Sequence, residues 1–171
     1  MNTFLISDTH FGHKNILSFK RNDGTSLRPA FNSIEEHDEF LIDNWNKVVS
    51  PTDKIYHLGD VGFYNVSKLL EVMSRLNGRK VLIKGNHDNL KLSQYAQCFS
   101  DVRAYHVLDK FVLSHIPIHP ESITRWKGNI HGHLHANTLD DSRYINVSCE
   151  QINYTPISFE ELKKMNENSR I

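Results

Sequence analysis

Lys54-Ile55-Tyr56-His57-Leu58-Gly59-Asp60 is the stretch on which the fold turns: a short apolar run that stops at a glycine followed at once by a carboxylate. Its length and its Ile, Tyr and Leu content favour a buried strand over a helical fragment. The construction recurs, with apolar runs at 3–7, 54–58, 80–84, 105–108, 110–114 and 144–148. Four of them lead straight into polar groups: Ser7 into Asp8 and His10, Leu58 into Asp60, Lys84 into Asn86 and His87, and Ser114 into His115.

Amphipathic helices fill the intervals. Ser33 can cap a helix with Glu36 reaching back, an apolar stripe of Ile34, Leu41, Trp45 and Val48, and Pro51 beyond its end. A second helix is expected over 66–76, with Leu69, Leu70 and Met73 on one face and Gly78 as its stop. A third follows Ser158, with Glu161 completing a capping box and Phe159, Leu162 and Met165 on one side. Strands alternating with helices predict an α/β domain, and open sheets of that class bind ligands beyond the carboxyl ends of their strands. The strand-end residues are therefore expected to share one site.

The 171 residues, 39% of them hydrophobic, suit one domain rather than two. Twenty basic residues balance 20 acidic ones, which argues against non-specific adhesion to nucleic acid or to an anionic membrane. No apolar run reaches the roughly 20 residues that cross a bilayer, so a soluble, cytoplasmic protein is expected. Cys98 and Cys149, the two cysteines, lack the spacing of a metal knuckle and are expected as reduced, mostly buried thiols. The compositional oddity is 11 histidines. Of these, His37 falls in a charged helical segment and is expected in solvent, whereas His57, beside Leu58, is expected to be buried.

In extended chain, residues two apart face the same way, so Asp8 with His10, and His133 with His135 after the turn-like Gly128 and Asn129, can address a common centre. Two metal ions need roughly seven or eight donors and, at about 3.5 to 4 Å apart, a bridging anion. Asp60, alone after Gly59, is placed to bridge. Asp8, His10 and His135 would complete one coordination sphere, and Asn86, His115 and His133 the other. Two carboxylates against two divalent ions leave a net charge of about +2, which attracts phosphate. Mixed oxygen and imidazole donors suit manganese, the first expectation, or iron, zinc or nickel, over calcium or magnesium.

The ordered set D-x-H (Asp8, His10), G-D (Gly59, Asp60), G-N-H-D (Gly85 to Asp88), a lone His115 and G-H-x-H (Gly132, His133, His135) resembles the calcineurin-like metallophosphoesterase superfamily over nearly the whole chain, 1–171. The stretch Ser7 to His13, together with Tyr154 to Leu162, looks like its small bacterial and phage members. The resemblance implies a four-layer αββα sandwich of two mixed sheets flanked by helices, and a bridging hydroxide as nucleophile. It further implies that His87 contacts the phosphate and protonates or stabilises the leaving oxygen, with Asp88 orienting its ring. His13 is a candidate for substrate contact, with a supporting role beside the site as the alternative. Protein phosphatases of the superfamily read G-D-x-x-D-R-G, whereas Asp60 is followed here by Val61, Gly62, Phe63, Tyr64 and Asn65. The phosphate-gripping arginine is missing, which argues against a Ser/Thr protein phosphatase. Arg21, Arg28, Arg103 and Arg125 are the arginines that could replace it from a loop.

The expected activity is hydrolysis of a small phosphate ester, a phosphodiester of nucleotide type. The alternatives are a phosphomonoesterase, a nuclease, and an inactive metal-binding scaffold. Zero net charge and the lack of a basic, aromatic-lined groove disfavour the nuclease and nucleic acid as a partner. The complete ligand set disfavours the scaffold. The oligomeric state is not legible in the sequence.

Overall fold

In the computed structural model, which describes residues 1–168, two sheets share one α/β domain. The first sheet contains β1 (Thr3–Ile6), β2 (Lys54–His57), β3 (Arg79–Ile83), β4 (Asp101–Arg103) and β9 (Ile157–Ser158), in the order β4-β3-β2-β1-β9. Its strands are parallel except β9, which runs antiparallel to β1. The second contains β5 (His106–Leu108), β6 (Phe111–Leu113), β7 (Gly128–His131) and β8 (Tyr144–Asn146), with β6, β7 and β8 parallel and β5 antiparallel. Both sheets are mixed, as expected.

Period-two alternation sorts the first sheet's side chains onto two faces. Phe4, Ile6, Ile55 and Leu82 meet Leu41, Ile42 and Trp45 of α1 (Ile34–Val48) and Leu69, Val72 and Met73 of α2 (Val66–Ser74). Leu5, Tyr56, Val81 and Ile83 point the other way, onto Phe111, Leu113 and Ile130 of the second sheet. Phe159 and Leu162 of α4 (Phe159–Asn168) close that inter-sheet core, and α3 (Leu92–Tyr95) is a single turn. On the outer face of the second sheet, cover near Asn129 and Tyr144 is a loop rather than a long helix. Ile118 accepts from the Tyr144 hydroxyl at 2.6 Å and donates to Asn129 at 2.8 Å, just before the 3-10 turn Pro120–Ile123.

The two capping hydroxyls sit as the sequence predicts, while the Glu36 carboxylate reaches back to the Asn32 amide at 2.6 Å instead of completing a box at Ser33. Ser33 accepts from the Glu36 amide at 3.1 Å, and Ser158 accepts from the Glu161 amide at 3.1 Å. Three readings need correction. Val48 is exposed, and the buried residue at the end of α1 is Val49. His37 is fully buried, because it shares the inward face of α1 with Leu41 and Trp45 at four-residue spacing. Gly128 and Asn129 form a strand instead of a turn: the Asn129 amide donates to the Val112 carbonyl and the Ser114 hydroxyl at 2.9 Å each, so a buried polar side chain serves as a bracket. Strands β4 and β9 had no pattern to reveal them, being three and two residues long.

The sheets are stitched together where β1 and β8 run out. Ser7 donates to the Val147 carbonyl at 3.0 Å, and Cys149 donates to the Ser7 carbonyl at 3.1 Å. Beside this seam Gly59 adopts φ +92°, and a Cβ there would lie 2.6 Å from Gly85 Cα and 2.7 Å from His115 Nδ1. Gly59→Ala is expected to lower the unfolding free energy by more than about 2 kcal/mol, combining a left-handed side chain with backbone overlap. Urea denaturation of the metal-free protein checks this; a loss below that would mean that the β2 and β3 turns can part freely.

Candidate metal centre

The carboxyl ends of β1, β2, β3, β6 and β7 converge on one point and bring all seven expected donors together. Asp60 Oδ2 lies 3.6 Å from His10 Nε2 and 3.4 Å from His115 Nε2, between the two expected sets. On one side Asp8 Oδ1 stands 3.8 Å from both His10 Nε2 and His135 Nε2. On the other, Asn86 Oδ1 is 2.9 Å from His115 Nε2 and 3.0 Å from His133 Nδ1.

Two of the four imidazoles are aimed by what their other nitrogen does. His115 Nδ1 donates to the Leu58 carbonyl at 2.7 Å, which turns Nε2 towards Asp60. His135 Nδ1 donates to Glu150 at 3.1 Å, which turns Nε2 towards Asp8. Asp8 Oδ2 is saturated by the His133 amide and the Ser148 hydroxyl at 2.9 Å each, leaving Oδ1 to face inward. Asp8 Oδ1 and His10 Nε2 are both buried without a hydrogen-bond partner. Buried polar atoms are rarely left so, and two lone-pair donors facing one space, a carboxylate oxygen and an imidazole nitrogen, fit a cation.

The backbone is bent to achieve this. Asp8, His10, Asp60, His133 and His135 have φ of 58°, 51°, 57°, 69° and 49°, a left-handed conformation that costs a non-glycine residue about 1–2 kcal/mol. Gly132 lets β7 pass close to β1; a Cβ there would overlap Ser7 Oγ and Asp8 Oδ2.

Asp88 departs from expectation. Its carboxylate accepts from the amides of Asp60 and Val61 at 2.9 Å each and of Gly85 at 2.7 Å, and none of its hydrogen bonds goes to the His87 ring. It therefore clamps the Asp60 turn to the Gly85 turn, and burial raises its pKa. His87 donates its own amide to Asp60 Oδ1 at 2.9 Å and exposes its ring near Phe63 and His10. His13 stacks on Phe63, with centroids 3.9 Å apart, and its Nδ1 is 3.2 Å from His10 Nδ1. Burial, then the neighbouring His10 and His87, push its pKa down to about 4. His57 is buried as expected, accepting from the Gly59 amide at 3.2 Å. His131 is buried under the site, with Nδ1 on the Gly132 carbonyl at 2.8 Å.

Two residues behind the site carried no motif. Arg28 and Glu150 form a buried pair at 2.8 Å; Arg28 also holds the Asp8 carbonyl at 2.5 Å, and its Nη1 lies 3.1 Å from His37 Nε2. Glu150 is thus the anchor that turns His135, and only its burial in the folded state reveals it. Among the four candidate arginines, Arg28 is spent here, Arg103 pairs with Asp101 on β4, and Arg125 is exposed on a loop.

The profile of the calcineurin-like phosphoesterase family matches residues 1–168. The chain belongs to that family. It is 37% identical to an uncharacterized protein, MJ1445, of Methanocaldococcus jannaschii, over 98% of this chain and 93% of that one. It is 33% identical to the Gene 66 protein of Mycobacterium phage L5, over 51% of this chain and 40% of the phage protein. The crystal structure of AQ665 from Aquifex aeolicus, a protein of unknown function, superimposes with a TM-score of 0.74 at 28% identity, covering 96% of this chain and 98% of that one. Membership makes the protein a metal-dependent phosphoester hydrolase, and no helix among its described residues is long and apolar enough to cross a membrane.

Burial opposes charge on His115 and His135, but Asp60 and Asp8 at the first and Glu150 at the second outweigh it and raise both pKa values. Without metal, these charged pairs stabilise the fold at acidic pH and fade as pH rises through the raised values, while protons compete with metal for the same nitrogens. The rise in melting temperature on adding manganese is therefore expected to grow from pH 6 to pH 8. Glu150→Gln, which keeps the shape of the anchor but removes its charge, is expected to weaken metal affinity by about 10- to 100-fold. Calorimetric titration of the metal-free variant reads that change, and unaltered affinity would remove Glu150 from the metal centre.

Proposed function

We propose that the protein is a dinuclear metal-dependent phosphodiesterase acting on small nucleotide-type esters, with manganese as the first candidate metal. The observation that carries this reading is Asp60 Oδ2 lying between His10 Nε2 at 3.6 Å and His115 Nε2 at 3.4 Å, with two further donors on each side. A metal pair there supplies a Lewis acid and water that ionises near neutrality. Asp8, His10 and His135 would hold one ion, Asn86, His115 and His133 the other, and Asp60 would serve both.

The chain's other groups act on the substrate. His87 projects an exposed ring across from His10, where it can hold a phosphoryl oxygen and pass a proton to the leaving oxygen. His13, flat against Phe63, forms the wall beside it. No arginine follows Asp60, Arg28 and Arg103 are paired with Glu150 and Asp101, and Arg21 stands across the cavity beside His133 and His135, so the Asp60 turn itself offers no bidentate arginine grip on a monoester dianion. Phe63 instead offers a ring 43% exposed, suited to the second substituent of a diester. Free thiols at half-buried Cys98 and buried Cys149 agree with a reducing, cytoplasmic setting.

Chelation is expected to abolish hydrolysis and manganese to restore it, while Asp60→Ala loses both ions by elemental analysis; full activity of a metal-free preparation would end the proposal. The kcat/KM for bis-p-nitrophenyl phosphate should exceed that for p-nitrophenyl phosphate, and the reverse order would make the protein a monoesterase. His87→Ala should slow cleavage of alkyl diesters by about 100-fold or more and of activated aryl diesters far less, as loss of a general acid does. Equal losses would assign His87 to phosphate binding alone.

A further inference from the structure

A cavity of about 390 Å3 opens directly beside His133 and His135, and its opposite wall is Phe19, Lys20, Arg21 and Asn22. Holding metal and passing a proton need none of these four residues. The volume exceeds what one phosphate fills and falls within the range of small-ligand pockets, from roughly 300 Å3 upward.

The wall is built rather than loose. Arg21 donates its amide to the Thr25 carbonyl at 2.8 Å, the Gly24 amide returns to Arg21 at 3.0 Å, and Leu27 donates to Phe19 at 2.9 Å, closing a tight hairpin. Asp23 locks its tip by accepting from the Thr25 amide at 2.9 Å and hydroxyl at 2.6 Å. Leu27 anchors the base in a cluster with Ile16 and Ile34. Asn22 donates across the cavity to Asn137 at 3.4 Å, tying the hairpin to the turn after His135.

Charge is the informative feature. Lys20 and Arg21 are steadied by Ser26, at 3.0 Å through its hydroxyl and 3.3 Å through its carbonyl, yet neither forms an ion pair among the described residues. Two such cations beside a centre that already carries about +2 when metal-loaded repel it, unless the ligand brings a second anionic group. Phe19, 44% exposed and edge-on to His13 at 5.6 Å, adds an aromatic face, and the Asn22 and Asn137 amides add the donors and acceptors that a base edge needs.

We propose that this cavity receives the non-scissile part of the substrate, and that the substrate is a nucleotide bearing a second phosphate on the same nucleoside. Arg21 and Lys20 hold the second phosphate, and Phe19 lies against the base. The inference rests on the phosphodiesterase reading and names the class of diester.

The test compares the p-nitrophenyl ester of thymidine 5′-phosphate with the same ester carrying a 3′-phosphate, using manganese-loaded protein. Both release the same chromophore, so damage to folding or to the metals cancels in their ratio. The 3′-phosphorylated ester should be preferred by about tenfold or more in kcat/KM, mainly through KM, as charge-assisted contacts confer. Arg21→Ala and Lys20→Ala should each lower that ratio by about fivefold, with Arg21→Lys in between. No preference in the wild type, or a ratio unmoved by both alanine variants, overturns the proposal. Calorimetric binding of thymidine 3′,5′-bisphosphate against thymidine 5′-monophosphate separates the two levels. Tighter bisphosphate binding without ester cleavage retains the cavity and discards the diesterase; cleavage with equal affinities discards the cavity alone.

Discussion

Two carboxylates, Asp8 and Asp60, are buried within reach of one another's imidazole partners, and the rest of the structure is organised around compensating them. Burial alone would drive each carboxyl towards its neutral form. At Asp8 the nearby His10, His135 and His115 reverse that, and at Asp60 His115 does so with help from the His87 amide, so both pKa values fall. A buried anion of this kind is tolerable only with donors or cations supplied on every side. Five strand ends from two sheets are needed to supply them, which is why the seam between Ser7 and Val147 sits beside the metal centre and not elsewhere.

The backbone carries part of the cost. Five of the candidate ligands in the left-handed region cannot be there for local reasons, since each would relax if the chain were cut away from its neighbours. What holds them is reciprocal bonding between turns: Asp8 donates to the Gly59 carbonyl at 3.0 Å, His10 donates to Asp60 at 3.1 Å, and Asp88 ties Asp60 to Gly85. Asp88 thus matters to the centre through the backbone it fastens, and the catalytic label that its place in G-N-H-D invites does not describe its contacts.

Much of this was legible in the sequence because the candidate ligands sit at abrupt boundaries. Asp60 after Gly59 and His115 after Ser114 interrupt apolar runs, and such interruptions survive reading without coordinates. The caps at Ser33 and Ser158 were equally local. What stayed hidden was set by partners distant in sequence. Asn129 reads as a turn residue until Val112 and Ser114 are known to flank it. Arg28 and Glu150 look like surface charges until they meet across 122 positions. His37 was the avoidable miss, since its four-residue spacing to Leu41 and Trp45 announced an inward face.

The span of the contacts at Asp8 bears on how the protein comes into being. Its carboxylate is completed by His133, 125 positions later, and by Ser148, 140 positions later. Strand β1 lies between β2 and β9, so one flank of its own sheet is equally late to arrive. At about 5–20 residues per second, a ribosome needs on the order of ten seconds to bridge that gap. Through that interval the nascent Asp8 has neither of these partners, and pairing across such separations is slow even once the chain is free. Completion of the metal centre is therefore a late event of biosynthesis, a checkpoint that an incomplete chain cannot pass.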